Sequence, residues 1–263
     1  MKGIVIVVLA AALAGCASRS NTVPPGTVDA DKFLFDRGMQ EAKDRKWINA
    51  REYLRNLVDN YPQSAFRPDA KLALGDTYLG EDTTESLLLA ANEFREFLTF
   101  YPTHQRADYA QLQLARSFYE QMLAPERDQT ATKDAIREIE IFLQRFPNSE
   151  LMPEARTMER SARDRLSEAS YRVGYFYYRL KYWQGAIDRF QEVLKMDPGY
   201  SNRDAVYYHL AESLFRSLRE AEALPYYERL LREFEKSEYM AATQKRVAEI
   251  KARPAKPTGL SDR

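Results

Sequence analysis

The chain has one cysteine, two histidines and ten glycines in 263 residues. A single thiol makes no internal disulfide, so packing must hold the fold together. His104 and His209 stand alone, without a second histidine at ligand spacing, so the sequence offers no zinc site. It has no GxGxxG, no P-loop and no credible Ser-His-Asp set, and no cofactor is expected. Lys+Arg and Asp+Glu are both 39, a formal net charge of zero. That leaves no basic field for a general nucleic-acid binder. No apolar run reaches the roughly 18 residues needed to cross a bilayer. Few glycines among many Ala, Leu, Glu and Arg point to an all-helical chain.

The cysteine that is present has an informative place. Cys16 ends Leu13-Ala14-Gly15-Cys16, directly after the apolar stretch Ile4 to Ala14, which Lys2 precedes. A basic start and a short apolar core are the parts of a signal peptide. A small-residue pair before a lone cysteine resembles the bacterial lipobox. The resemblance implies cleavage before Cys16, acylation of its thiol and amino group, and anchoring in a membrane, since each buried CH₂ stabilises by about 0.8 kcal/mol. Ala17, in place of Asp, is compatible with sorting to the outer membrane. Residues 1–15 are thus expected as a signal peptide, and 16–30, with Pro24-Pro25-Gly26, as a lipidated flexible tether.

From Asp31 onward apolar residues recur at helical spacing. A phrase also returns, an amphipathic helix ending in an aromatic and then proline: Tyr61-Pro62, Tyr101-Pro102 and Phe146-Pro147. It recurs as Asp197-Pro198 and, without proline, as Phe234-Glu235. Proline stops each helix because it lacks an amide donor and clashes with the preceding turn. These phrases match the tetratricopeptide repeat, a helix-turn-helix of about 34 residues. Gly38, Gly75, Ala115, Gly174 and Ala211 are the small residues where paired helices cross. The large packing residues include Leu54, Phe94, Ile139, Phe190 and Tyr227, with Val173 and Tyr177 beside Gly174. The expected fold is all-α, a right-handed superhelical solenoid of five degenerate repeats. A capping helix from Ser237 to Lys251 should follow, with Tyr239, Met240, Val247 and Ile250 inward. Pro153 to Leu180 reads as one long helix bridging an N-terminal half (31–152, repeats one to three) and a C-terminal half (153–251). Residues 252–263 read as a disordered tail.

Several junctions are more specific than the repeats. Tyr101-Pro102-Thr103-His104 before Ala107-Asp108-Tyr109, Glu126-Arg127-Asp128, Phe146-Pro147-Asn148-Ser149, Asp164-Arg165-Leu166 before Tyr171, and Asn202-Arg203-Asp204-Ala205 together resemble the BamD family of outer-membrane-protein assembly lipoproteins. The likeness runs from about Phe33 to Lys251. It departs at Glu235, where proline is expected, and in a short insertion in repeat three. It implies a non-catalytic protein on the periplasmic face of the outer membrane. Its C-terminal half would bind the POTRA domains of a BamA-like β-barrel insertase. Its N-terminal half would receive the targeting strands of unfolded outer-membrane proteins, with other assembly lipoproteins as further partners.

The first helix of each repeat lines the groove in such proteins. In the N-terminal half this register gives Phe35, Met39, Leu72, Asp76, Tyr109, Leu112, Arg116 and Tyr119, with Leu72 and Leu112 also suited to packing between repeats. Rigid rings supply area and an arginine meets a terminal carboxylate. In the C-terminal half Tyr171, Tyr175, Tyr178 and Tyr182 form a stripe. The packing positions are already taken by Gly174 and Tyr177, so the stripe is free to face a partner or the bridging helix. Core burial is nonetheless the default reading of such a stripe, since tyrosine is also a common packing residue. Family resemblance places Arg203 at the POTRA contact, at a helix start where the dipole disfavours a cation. Pairing with Asp204 or Glu238 is its alternative.

Glu85-Ser86 imitates the catalytic pair of lytic transglycosylases but lacks their following motif. Glu138 and Glu140 lie on different helix faces and read as solvated. The rival to assembly is another binding module, a tetratricopeptide scaffold lipoprotein of cell-envelope or division machinery. A coiled-coil trimerisation segment would favour it, and none is visible.

Overall fold

The computed structural model describes residues 23–252. The expected signal peptide, the expected lipidation at Cys16 and the expected tail from 253 lie outside the described residues. Those described form eleven α-helices and no strand: α1 (Ala30–Lys43), α2 (Trp47–Asn60), α3 (Arg67–Glu81), α4 (Thr84–Phe100), α5 (Ala107–Tyr119), α6 (Thr130–Arg145), α7 (Met152–Arg179), α8 (Trp183–Met196), α9 (Arg203–Arg216), α10 (Glu220–Glu233) and α11 (Met240–Ala252). They are the paired helices of tetratricopeptide repeats. Contacts divide the chain inside α3, at Ala70/Lys71. The expected boundary at 152/153 therefore falls inside the second unit, where α7 packs on both α6 and α8.

In the first unit α1 and α2 cross at Gly38. A methyl there would lie 2.7 Å from Leu54 Cγ, so only glycine lets the helices meet at this distance. In the second unit a methyl on Gly75 would lie 2.6 Å from Phe94, and one on Gly174 2.7 Å from Phe190. Both rings are fully buried. The small positions in the sequence thus set helix separation, as ridges-into-grooves packing requires.

The second helix of every repeat ends alike. Tyr61, Tyr101, Phe146, Asp197 and Phe234 are the C-caps of α2, α4, α6, α8 and α10, each giving its N–H to the carbonyl four residues back. Each C-cap carbonyl then accepts from the amide three residues on: Ser64, His104, Ser149, Tyr200 and Ser237. The turn after Phe234 therefore closes without a proline.

Turns within the hairpins manage without glycine. Arg45, Lys181 and Leu218 adopt φ of 58°, 61° and 63°. Their amides bond three residues back, and the next amides (Lys46, Tyr182, Arg219) bond five back to Glu41, Tyr177 and Leu214. This is the helix-ending Schellman pattern, usually built on glycine.

Two expectations change. Val173, assigned to packing, is 44% exposed, because no helix of a preceding repeat lies over that part of α7. The capping helix begins at Met240, since Ser237 and Tyr239 belong to the preceding turn. Val247 and Ile250 do pack on the core of repeats four and five.

Candidate functional site

In the second unit α3 and α5 present an open cleft of about 610 Å³, lined by Asp76, Leu79, Gly80, Asp82, Tyr109, Gln113, Arg116 and Glu120. Tyr109, Gln113 and Arg116 share one face of α5 because they recur at helical spacing. The Tyr109 hydroxyl donates to Asp76 at 2.8 Å, and the Arg106 guanidinium sits 4.6 Å from the Tyr109 ring centre. Burial pushes the Asp76 carboxyl up to about 6, against the pull of Tyr109 and Arg106. The same burial, with the carboxylate beside it, raises the Tyr109 phenol. Arg116 pairs with Glu154 on α7, yet its Nε and the Gln113 Oε1 are buried without a partner. A buried polar atom left unpaired costs roughly 1–3 kcal/mol.

The structure thus brings together three of the expected groove residues, Asp76, Tyr109 and Arg116. Tyr119 is engaged elsewhere, donating to Ser161 Oγ at 2.8 Å and tying α5 to α7. Phe35 and Met39 belong to the first unit, where Phe35 stacks on Phe66 with ring centres 5.3 Å apart and Met39 is exposed. Leu72 and Leu112 are buried core residues. Gln113 was missed, although its place one turn after Tyr109 on α5 was a legible signal.

In repeats four and five the tyrosine stripe sits on the bridging helix itself, so it cannot face that helix. It faces α9. Tyr175 and Tyr178 approach His209 edge-on, with ring centres 5.0 and 4.9 Å away. Tyr239 completes the enclosure, stacking on Tyr208 at 4.5 Å. His209 Nδ1 lies 2.7 Å from the Ala205 carbonyl, which requires a proton on that nitrogen, and 3.1 Å from the Tyr171 hydroxyl. Burial lowers the imidazole's pKa, so it stays neutral at pH 7. Desolvation first, and nearby carboxylate charge second, push the Tyr239 phenol up to about 12. Tyr171 packs on the core, Tyr178 is half-buried, and Tyr175 is the ring most open to solvent of the three. Tyr182 leaves the stripe because Lys181 turns the chain, making Tyr182 the N-cap of α8.

Arg203 opens α9. It donates to the Tyr200 carbonyl at 2.8 Å and lies 5.3 Å from the Phe234 ring centre. Its two expected partners are otherwise engaged or apart: Asp204 accepts from Ser237, and no ion pair joins Arg203 to Glu238 among the described residues.

The imitations of enzyme sites have structural roles. Ser86 forms a reciprocal capping box with Thr83 at the start of α4. Glu138 is buried, not solvated: it accepts from Gln111 and pairs with Arg137. His104 accepts from the Arg106 amide and packs edge-on against Phe97. Among the described residues no group of three or more His, Cys, Asp and Glu could hold a metal ion.

The YfiO family, described as outer membrane lipoprotein, matches residues 28–219, and a tetratricopeptide repeat family matches 205–237. Among curated proteins, the outer membrane protein assembly factor BamD of Caulobacter vibrioides is 28% identical over 81% of this chain and 67% of its own length. BamD of Vibrio cholerae is 27% identical over 71% of this chain and 79% of its own. BamD of Rickettsia prowazekii is 24% identical over 80% and 79%. Among solved structures, the TPR2AB domain of yeast Sti1 overlays 84% of the chain and 98% of its own at TM-score 0.44 and 12% identity, too loosely for a functional comparison. The helix pairs, their aromatic ends and a match across most of the chain agree, and the chain belongs to the YfiO outer membrane lipoprotein family.

Proposed function

We propose that this protein is a non-catalytic assembly factor for outer-membrane β-barrel proteins, held by lipid on Cys16 at the periplasmic face of the outer membrane. The observation that carries this reading is the family match across residues 28–219, with relatives named as assembly factors. The surfaces suit such work. The Asp76–Tyr109–Arg116 cleft is open to solvent and is lined by polar side chains an extended strand could meet. In this reading it receives the targeting strands of unfolded outer-membrane proteins, and Phe35 and Met39 offer apolar contacts in the first unit. Arg203, with Tyr171, Tyr175 and Tyr178, serves the POTRA domains of the insertase, Tyr175 being the most accessible ring.

Gentle detergent extraction of the tagged full chain, followed by mass spectrometry, tests the reading. A β-barrel insertase with POTRA domains should co-purify, and Arg203→Glu should reduce its recovery several-fold. Recovery of peptidoglycan synthases or division proteins instead would replace this function with a scaffolding one. Undiminished insertase recovery with Arg203→Glu would remove that residue from the contact.

A further inference from the structure

The second half of α7 carries an apolar face that the repeat architecture leaves uncovered. Gly174 holds the same place in repeat four as Ala115 in repeat three and Ala211 in repeat five. In that register Val173 corresponds to Leu114 and Leu210, and Phe176 to Ser117 and Ser213. Leu114 and Leu210 are 3% and 0% exposed, and both serines are 0% exposed, because α4 and α8 lie over them. Each serine turns its hydroxyl onto its own helix, to the carbonyls of Gln113 and His209, so the neighbouring helix can come close. In repeat four the same positions are 44% exposed for Val173 and 59% for Phe176, and Leu180 adds a third apolar side chain at 50%. The first half of α7 is covered by α6, through Ala155 and Met158. The loop before α6 bonds to α7 at Arg165, through the Leu123 carbonyl, and at Arg172, through Glu126. Arg172 lies about one turn before Phe176, which is exposed.

Residues 173, 176 and 180 follow the i, i+3, i+7 spacing of a helix-packing stripe over about two turns. The place is the one a preceding helix fills in repeats three and five. Phenylalanine stands where those repeats use serine, which suits a visitor packed on a bulky ring and excludes the close approach found inside the array. At the C-terminal end of the stripe the unpaired charge is positive. Arg179 and Lys181 border it, and neither has a carboxylate partner among the described residues. Arg172 is already neutralised by Glu126 and Glu168.

We infer that Val173, Phe176 and Leu180 form a docking slot for an amphipathic helix of a partner protein, with an apolar stripe and carboxylates along its edge. Helix-in-groove recognition reads such anchors on both partners. The slot is separate from the cleft and the tyrosine surface, and the inference does not depend on what those bind.

The test uses the full chain in detergent and two labelled synthetic helices of about 20 residues. Both carry leucines at i, i+3 and i+7, one flanked by glutamates and the other by lysines. Fluorescence anisotropy should show the glutamate helix binding at least about tenfold more tightly. Val173→Gln/Phe176→Ser, whose changes are on the surface, should keep the circular dichroism of the wild type and lose that binding. Arg179→Glu, which cancels Lys181, should remove the preference between the two helices. Equal binding of both helices by the wild type, binding unchanged by the double substitution, or no binding to the wild type would overturn the inference. So would concentration-dependent self-association of the wild type that the double substitution abolishes, since a second copy would then be the occupant.

Discussion

Ser149 Oγ donates to Asp108 Oδ2 at 2.6 Å, joining the turn after α6 to the start of α5, the first helix of the same repeat. The same clasp recurs as Ser64 to Asp31, Ser201 to Asp164 and Ser237 to Asp204, at 2.6, 2.7 and 2.6 Å. Ser149, Ser64 and Ser237 also accept from the backbone two residues on, so each both closes its turn and hooks it to a carboxylate. A repeat is thereby held at its open end by a bond between residues more than 30 positions apart. Ser149→Ala should lower stability by about 1 kcal/mol, the net value of a hydrogen bond to a charged acceptor in a partly solvated place. Urea denaturation monitored by circular dichroism measures it, and an unchanged midpoint would show the clasp to be inert.

Gly174 and Gly185 face opposite fates on substitution by alanine. Helix propensity favours alanine at each by roughly 1 kcal/mol. At Gly174 the new methyl would meet the buried Phe190 ring at 2.7 Å, and overpacking of this kind costs about 1–3 kcal/mol. At Gly185 the nearest atom is Tyr177 Cδ1 at 3.4 Å, an ordinary contact. Thermal melts should therefore show Gly174→Ala less stable than wild type and Gly185→Ala equal or more stable. A stabilised Gly174→Ala would mean that steric closeness does not set the α7–α8 spacing.

Asp76 makes stability depend on pH in an unusual direction. Its folded value of about 6 lies above the usual carboxylate value of 3.8. The folded chain thus holds the proton more tightly than the unfolded chain, and stability falls as pH rises from about 4 to about 6. Asp76→Asn removes this loss while leaving an acceptor for Tyr109. It should be more stable than wild type by about 3 kcal/mol at pH 7, an advantage that vanishes near pH 4. Paired urea titrations at pH 4, 5, 6 and 7 give the difference. A constant offset would contradict the assignment.

Cys16→Ala addresses the anchor. The substituted protein should keep its far-ultraviolet circular dichroism and move from the membrane pellet to the soluble periplasmic fraction. Continued sedimentation with membranes after a carbonate wash would show that attachment does not depend on the cysteine.

The helix class, the hairpin pairing and the long α7 were all readable in the sequence, because period, proline and small crossing residues are local signals. Gly38, Gly75 and Gly174 could be marked in advance, since only a missing side chain lets two helices meet so closely. Asp76, Tyr109 and Arg116 line one cleft because α3 and α5 are successive first helices. Tyr119 and Tyr182 went elsewhere, one to Ser161 across an interface and the other to a turn made by a left-handed lysine. Neither event has a signature in neighbouring residues.

Apolar spacing and helix-stopping residues act within a few positions, so the amino-acid order alone commits this chain to repeated helical hairpins. Which faces those hairpins cover emerges from packing between distant helices. Val173 reads like Leu114 and Leu210 in the repeat pattern, yet it lies open where they are buried. The difference arises because burial depends on whether a neighbouring helix reaches that face, and here α6 covers only the first half of α7.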